Sequence, residues 1–164
     1  ICFEYKPADP RRYSLVRDVG STLLMIEECG NSNLGVLLDF CHLLMAGENP
    51  AWSASLCIRK KKLFGLHLND GYGAMDDGLV VGSVNLSKTV ELLYYIVNSD
   101  YDNVIYFDTF PIREDPVKEC ETNIQRIEQL VGLVSKLDEV GIQEVLKEQD
   151  GLGAANVLWQ VIIA

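Results

Sequence analysis

Four short hydrophobic segments punctuate the chain, and each ends abruptly in a polar residue. The longest, Leu34-Gly-Val-Leu-Leu-Asp-Phe-Cys-His42, passes from unbroken apolar residues to a carboxylate and then an imidazole. An apolar run of this length, bounded upstream by Gly30 and Asn31, predicts a strand buried on both faces, as in a parallel sheet covered by helices. The same design recurs in Ile1-Cys-Phe-Glu4, in Leu63-Phe-Gly-Leu-His67 with Asp70 close behind, and in Asn103-Val-Ile-Tyr-Phe-Asp108.

Helical spacing fills the intervals. Val19, Leu23, Leu24 and Ile26 share a face that Gly30 terminates. Asn49-Pro50 is a cap followed by proline at the first helical position, and the helix through Trp52 and Leu56 runs into Arg59-Lys-Lys-Lys62, read as a solvated helix end. Ser87 to Asn98 places Val90, Leu93, Tyr94 and Val97 together. Asp115-Pro116 opens a helix striped by Cys120, Ile124, Ile127, Val131 and Val134, and Ile142 to Ala164 reads as one or two helices broken at Gly151 and Gly153.

Strands alternating with helices imply an α/β fold with parallel strands and right-handed crossovers. The strand-end residues 4, 39, 67 and 108 are spaced by about the ~30 residues of a βα repeat. Four such units make half of an eight-stranded (β/α)8 TIM barrel. The chain opens directly inside a strand pattern, without Met, and reads as the second half of a barrel whose sheet edges lie open at Ile1 and Asn103. Residues 1–137 are expected to form that half-barrel and residues 138–164 a helical extension.

At 164 residues and 48% apolar content the chain can bury one sizeable core, and its net charge of -10 disfavours a nucleic-acid or anionic-membrane surface. No stretch reaches transmembrane length and no signal peptide is evident. Five cysteines without paired spacing fit a reduced, cytoplasmic protein.

Charge and pattern together suggest chemistry. Residues at the C-terminal ends of barrel strands converge on one site, which predicts a divalent-metal centre from Glu4, Asp39, His67 and Asp108. Carboxylate and imidazole suit borderline and hard ions such as Mn, Zn, Co or Mg. If the chain turns into helix after Asp39, His42 faces the same cavity, with Asp39 on one ion and His42 on a second. The plainer alternatives are an Asp that merely caps a helix and a His held in the core. Against them stands a coincidence, since the only two histidines both fall at strand exits. The loop Asp70 to Ser83, with four glycines and the acids Asp76 and Asp77, reads equally as a ligand-binding loop or a flexible surface loop.

The ordered set Glu4-Tyr-Lys6-Pro7, Leu38-Asp39-Phe-Cys-His42, His67-Leu-Asn-Asp70, Asp76-Asp77-Gly-Leu-Val-Val-Gly82-Ser83 and Phe107-Asp108 resembles the C-terminal half of the xylose isomerase-like TIM barrels. The nearest resemblance is to the L-rhamnose isomerase and related bacterial sugar isomerase branch, from the first residue to about Leu137. That resemblance implies a metal-dependent aldose-ketose isomerase acting on a small sugar, with Mn2+ the expected ion and Co2+, Zn2+ or Mg2+ as alternatives. By carry-over, Glu4 bridges two ions and Lys6 polarises the substrate carbonyl. Asp39, His67 and Asp108 complete a structural metal site, while His42 and Asp76 hold the catalytic metal. Catalytic roles then fall to Lys6, Glu4 and Asp76, in a metal-assisted hydride shift or through an enediol with an acidic base. Relatives carry a second loop acid where this chain has Gly78, which leaves Asp77 as a substitute. Family enzymes build substrate walls from the first four strands, so the implied partner is a missing N-terminal half-barrel or a homo-oligomer, and an isolated copy is expected to be a poor enzyme. A ketose 3-epimerase of the same superfamily, using paired carboxylates, and a non-catalytic remnant remain alternatives.

Overall fold

A computed structural model describes residues 1–163. Four strands, β1 (Cys2–Glu4), β2 (Gly35–Asp39), β3 (Leu63–Leu68) and β4 (Ile105–Phe107), form one sheet in the order β1-β2-β3-β4, every pair parallel. Helices α1 (Val19–Cys29), α2 (Phe40–Met45), α3 (Pro50–Arg59), α4 (Leu86–Val97) and α5 (Pro116–Glu139) lie between and after them, followed by α6 (Ile142–Lys147) and α7 (Gly151–Ile163). This is the α/β alternation that the hydrophobic pattern predicts, arranged as a partial TIM barrel.

Pleating sends successive side chains to opposite faces, a bulge at Phe64 resets the alternation along β3, and the two faces differ. Val36, Leu38, Leu63, Leu66 and Leu68 are buried in the main core with Val19, Ile26, Ala54, Val90 and Leu93 from the helices. The opposite, concave face is less covered: Leu37 and Phe64 are half-buried, and Cys2 and Tyr106 are exposed. Phe64 lies over Gly35, where an added Cβ would come within 2.3 Å of its ring. Among the described residues neither the outer edge of β1 nor that of β4 has a strand partner. Total exposed surface is 9767 Å², against about 8,100 Å² expected for a compact monomer of 18.3 kDa.

Helix starts follow the sequence closely. The side chains of Asp18, Asn49 and Asp115 each accept from backbone N–H groups of the first turn, the capping that removes orphan donors. Gly30 closes α1 at φ 64 with nothing within 4 Å of an added Cβ. Gly30→Ala is therefore expected to destabilise through backbone strain alone, by about 1 kcal/mol, read as a lowered urea midpoint with unchanged slope.

Some expectations shift. The outer strands are shorter than the apolar runs, since β4 begins at Ile105 rather than Asn103. On α5 the buried face is Glu119, Asn123, Leu130, Val134 and Leu137; of the predicted stripe Val134 is buried and Ile127 packs against the core, whereas Cys120 and Ile124 are exposed. The cause is polar: Asn123 Oδ1 accepts from the Val81 N–H at 3.0 Å and turns the helix toward the Asp70–Ser83 loop. The helices after Ile142 are two, but their break falls at Gln149, where φ is 56, and Gly151 and Gly153 lie within α7. The Gly153 N–H is held by Asp150 Oδ1 at 2.9 Å, a cap that lets the helix begin with glycine. Ala164 lies outside the described residues.

Candidate metal centre

All four strand ends meet at one end of the sheet. Glu4 ends β1, Asp39 ends β2, His67 sits in register with Asp39 on β3, and Asp108 follows β4, its N–H donating to the Leu68 carbonyl at 3.2 Å. His67 Nδ1 lies 3.3 Å from Glu4 Oε1, 3.6 Å from Asp39 Oδ2 and 3.8 Å from Asp108 Oδ2. One donor atom from each of the four residues lies within 4.8 Å of the others. Tyr106 tilts against the imidazole with ring centroids 5.2 Å apart, which limits its rotation.

A second group shares Asp39. The chain turns into α2 immediately after it, and Asp39 Oδ1 accepts from the His42 N–H at 3.0 Å. Asp39 is thus both helix cap and member of the cluster. One turn on, His42 Nε2 lies 3.2 Å from Asp76 Oδ2 and 3.9 Å from Asp39 Oδ1, and its Nδ1 lies 3.5 Å from Glu4 Oε1. Asp39, His42 and Asp76 form a second set with donor atoms inside the same 4.8 Å limit. Lys6 Nζ donates to Asp76 Oδ2 at 2.8 Å and also pairs with Asp9 at 3.4 Å.

The loop carrying Asp76 is stapled at its base. Asp70 is fully buried; its carboxylate accepts from the N–H groups of Gly71, Val84 and Asn85 and from the Asn85 amide, while its backbone bridges Leu79. The Asp77 carboxylate accepts from the Tyr72 N–H at 2.7 Å. Of the three acids in this stretch, only Asp76 joins the cluster. Gly78, at φ 56, packs under Phe110, where a side chain would come within 2.3 Å of the ring.

The donor set fits a divalent cation. Metal–ligand bonds of about 2.0–2.2 Å put neighbouring donor atoms about 3.0–3.5 Å apart, close to the separations around His67. The Nδ1 atoms of His42 and His67 and Oδ1 of Asp76 are buried without a hydrogen-bond partner, an arrangement costly for groups with no other use. Oxygen-rich donors with one imidazole each suit Mn, Co, Zn or Mg rather than a thiophilic ion.

Electrostatics follow from the crowding. Burial raises the Glu4 carboxyl above its usual range despite the two imidazoles, and burial with the charge of Asp39 raises Asp108. Asp76 moves the other way: although burial opposes its charge, the bonds from His42 and Lys6 hold it at about 2. His67 is raised chiefly by Asp39, against burial; His42 is raised because Asp76, Asp39 and Glu4 outweigh its burial. A histidine raised in the folded state stabilises fully below its unfolded value of about 6.5 and loses that contribution as pH climbs through the folded value. The metal-free protein is therefore expected to melt at progressively lower temperature from about pH 6.5 upward. Metal binding requires neutral imidazoles, so Mn2+ affinity should rise over the same range. Thermal melts in EDTA and in Mn2+ at successive pH values check both signs.

The sequence profile of the xylose isomerase-like TIM barrels matches residues 5–136. The chain belongs to that family. Among solved structures, the xylose isomerase-like fold recurs in a D-tagatose 3-epimerase-like protein at TM-score 0.66 and 20% identity, over 83% of this chain and 48% of that one. A xylose isomerase domain protein from Alicyclobacillus acidocaldarius subsp. acidocaldarius gives 0.60 and 23%, over 82% and 51%. An L-ribulose 3-epimerase gives 0.67 and 13%, over 85% and 49%. At such identities these likenesses establish the fold alone, and the chain spans about half the length of each. No curated protein matches the chain in sequence. Among the described residues no helix is long and apolar enough to cross a membrane.

Sequence reasoning quoted Asn69 and Asp70 only within a motif, without giving either a role, and passed over Asn123. All three are fully buried polar residues, and the signal for Asn69 and Asp70 was their place directly after a strand that ends in a histidine.

Proposed function

We propose that this xylose isomerase-like chain carries the metal-binding part of an aldose-ketose isomerase site of the L-rhamnose isomerase type, with Mn2+ as its ion. The observation that carries the reading is Glu4 Oε1, which lies 3.3 Å from His67 and 3.5 Å from His42 and so stands between two donor groups that both contain Asp39. Glu4, Asp39, His67 and Asp108 would hold one ion; Asp39, His42 and Asp76 would hold a second, using the unpartnered Oδ1 of Asp76 because Oδ2 already binds Lys6. When bound, such ions supply Lewis-acid polarisation of neighbouring hydroxyl and carbonyl oxygens.

The chain's own groups have separable tasks. Lys6 presents an ammonium at the edge of the cluster, where it donates to a substrate carbonyl oxygen and balances the negative charge that develops there. Asp76 stays ionised at neutral pH, so it accepts hydrogen bonds and holds Lys6 in place rather than giving up a proton. Glu4, raised by burial in the metal-free cluster, would be ionised when it holds the ion.

A ketose 3-epimerase is the second reading, supported by the likeness to a D-tagatose 3-epimerase-like protein and to an L-ribulose 3-epimerase. Lys6 favours the isomerase, because epimerase relatives generally lack that motif. Titration with Mn2+ by calorimetry and incubation with aldoses and ketoses separate the readings. Micromolar Mn2+ binding and at most slow formation of ketose from an aldose are the expected result. Exchange of one stereocentre within ketoses would favour the epimerase; no Mn2+ binding at micromolar levels would leave a non-catalytic remnant.

A further inference from the structure

We propose that Asn69, which follows β3 directly, is a positioning residue that sets the orientation of the Asp39 carboxylate and thereby the affinity of the metal centre. The inference rests on the metal-centre reading above. Asn69 is fully buried and its amide is entirely committed. Nδ2 donates to Asp39 Oδ1 at 3.2 Å, to Asp39 Oδ2 at 3.0 Å and to the Asp108 carbonyl at 3.0 Å. Oδ1 accepts from the Cys41 N–H at 2.9 Å. Because that backbone donor requires an oxygen opposite it, the amide can take only one orientation, with its nitrogen toward Asp39.

One side chain therefore ties the end of β2, the first turn of α2 and the residue after β4. The geometry matters most at Asp39. Its Oδ1 also accepts from the His42 N–H, whereas Asn69 is the one hydrogen-bond donor to Oδ2 among the described residues. Oδ2 is the oxygen 3.6 Å from His67 Nδ1. Removing Asn69 frees the carboxylate to turn about its bond to the chain and releases the carbonyl that anchors Asp108. Outer partners that orient metal ligands are worth about 10–100-fold in affinity.

The test compares wild type with Asn69→Asp, which keeps the shape but replaces the donor by an acceptor facing Asp39, and with Asn69→Ser, a smaller change should the first fail to fold. Readouts are Mn2+ affinity by calorimetry, the visible absorption spectrum after Co2+ loading, and the thermal melt in EDTA. The expected result is Mn2+ affinity about 10–100-fold weaker, with an altered Co2+ spectrum in a variant that still melts cooperatively. Wild-type binding matched by the variants, with an identical Co2+ spectrum, would overturn the role of Asn69 while leaving the centre intact. Absence of Mn2+ and Co2+ binding by wild type would overturn the centre and this inference with it.

Discussion

Exchange of Asp39 for asparagine is expected to weaken Mn2+ binding by more than about 100-fold, beyond the upper figure for loss of an outer partner alone. Asp39 is almost wholly buried and belongs to both donor groups, so both would lose a ligand at once. Asparagine keeps an oxygen for the His42 N–H and therefore keeps the cap on α2. It also removes a negative charge that helps to raise Glu4 and Asp108. The new amide nitrogen would take the Oδ2 position and face the Asn69 donor, so the metal-free variant should lose about 1–3 kcal/mol and melt about 3–10 °C below wild type. Loss of affinity with retention of the fold is the combination to look for. An affinity within tenfold of wild type would show that Asp39 serves only as a cap.

Lys6→Met should separate chemistry from metal binding. Its ammonium bonds Asp76 and pairs with Asp9, and nothing brings it within reach of His67 or Asp108. Methionine preserves most of the stem and removes the charge. Turnover of sugar is expected to fall by about 10²–10³, the usual loss for one donor aimed at developing negative charge. Mn2+ affinity should hold or rise, because a competing cation leaves Asp76. Parallel kinetic and calorimetric measurements decide the matter. A variant with wild-type turnover removes Lys6 from the chemistry, and one that loses metal and turnover together makes it a structural tie.

The meeting of Glu4, Asp39, His67 and Asp108 was legible because parallel sheets impose a simple geometry. When the apolar runs are parallel and neighbouring, whatever follows them must cluster at one end. The chain has only two histidines and both fall at strand exits, which favours a shared site over separate structural roles. The loop was harder. Asp70, Asp76 and Asp77 have the same chemistry and lie within a few residues, yet one staples the loop, one joins the cluster and one holds a turn. Local sequence carries no information about which way each carboxylate faces, since that depends on N–H groups supplied from Tyr72, Val84 and Asn85. The register of α5 was missed for a related reason. Apolar periodicity ranks Ile124 above Asn123, but a buried backbone donor at Val81 is met by Asn123, and leaving such a donor unmet costs about 1–3 kcal/mol, comparable with the burial of one isoleucine.

The thinly covered concave side of the sheet opens at the same end as the ligands. Glu4 and Asp108, on the two outermost strands, are the most accessible members of the cluster, with side chains 35% and 32% exposed against 19% for His67. Any surface laid against Leu37, Phe64 and Tyr106 must therefore also roof these two carboxylates. On the proposed function, shielding the sheet and choosing which sugar hydroxyls approach the ions would be a single geometric event, with selectivity among sugars set by whatever provides the roof.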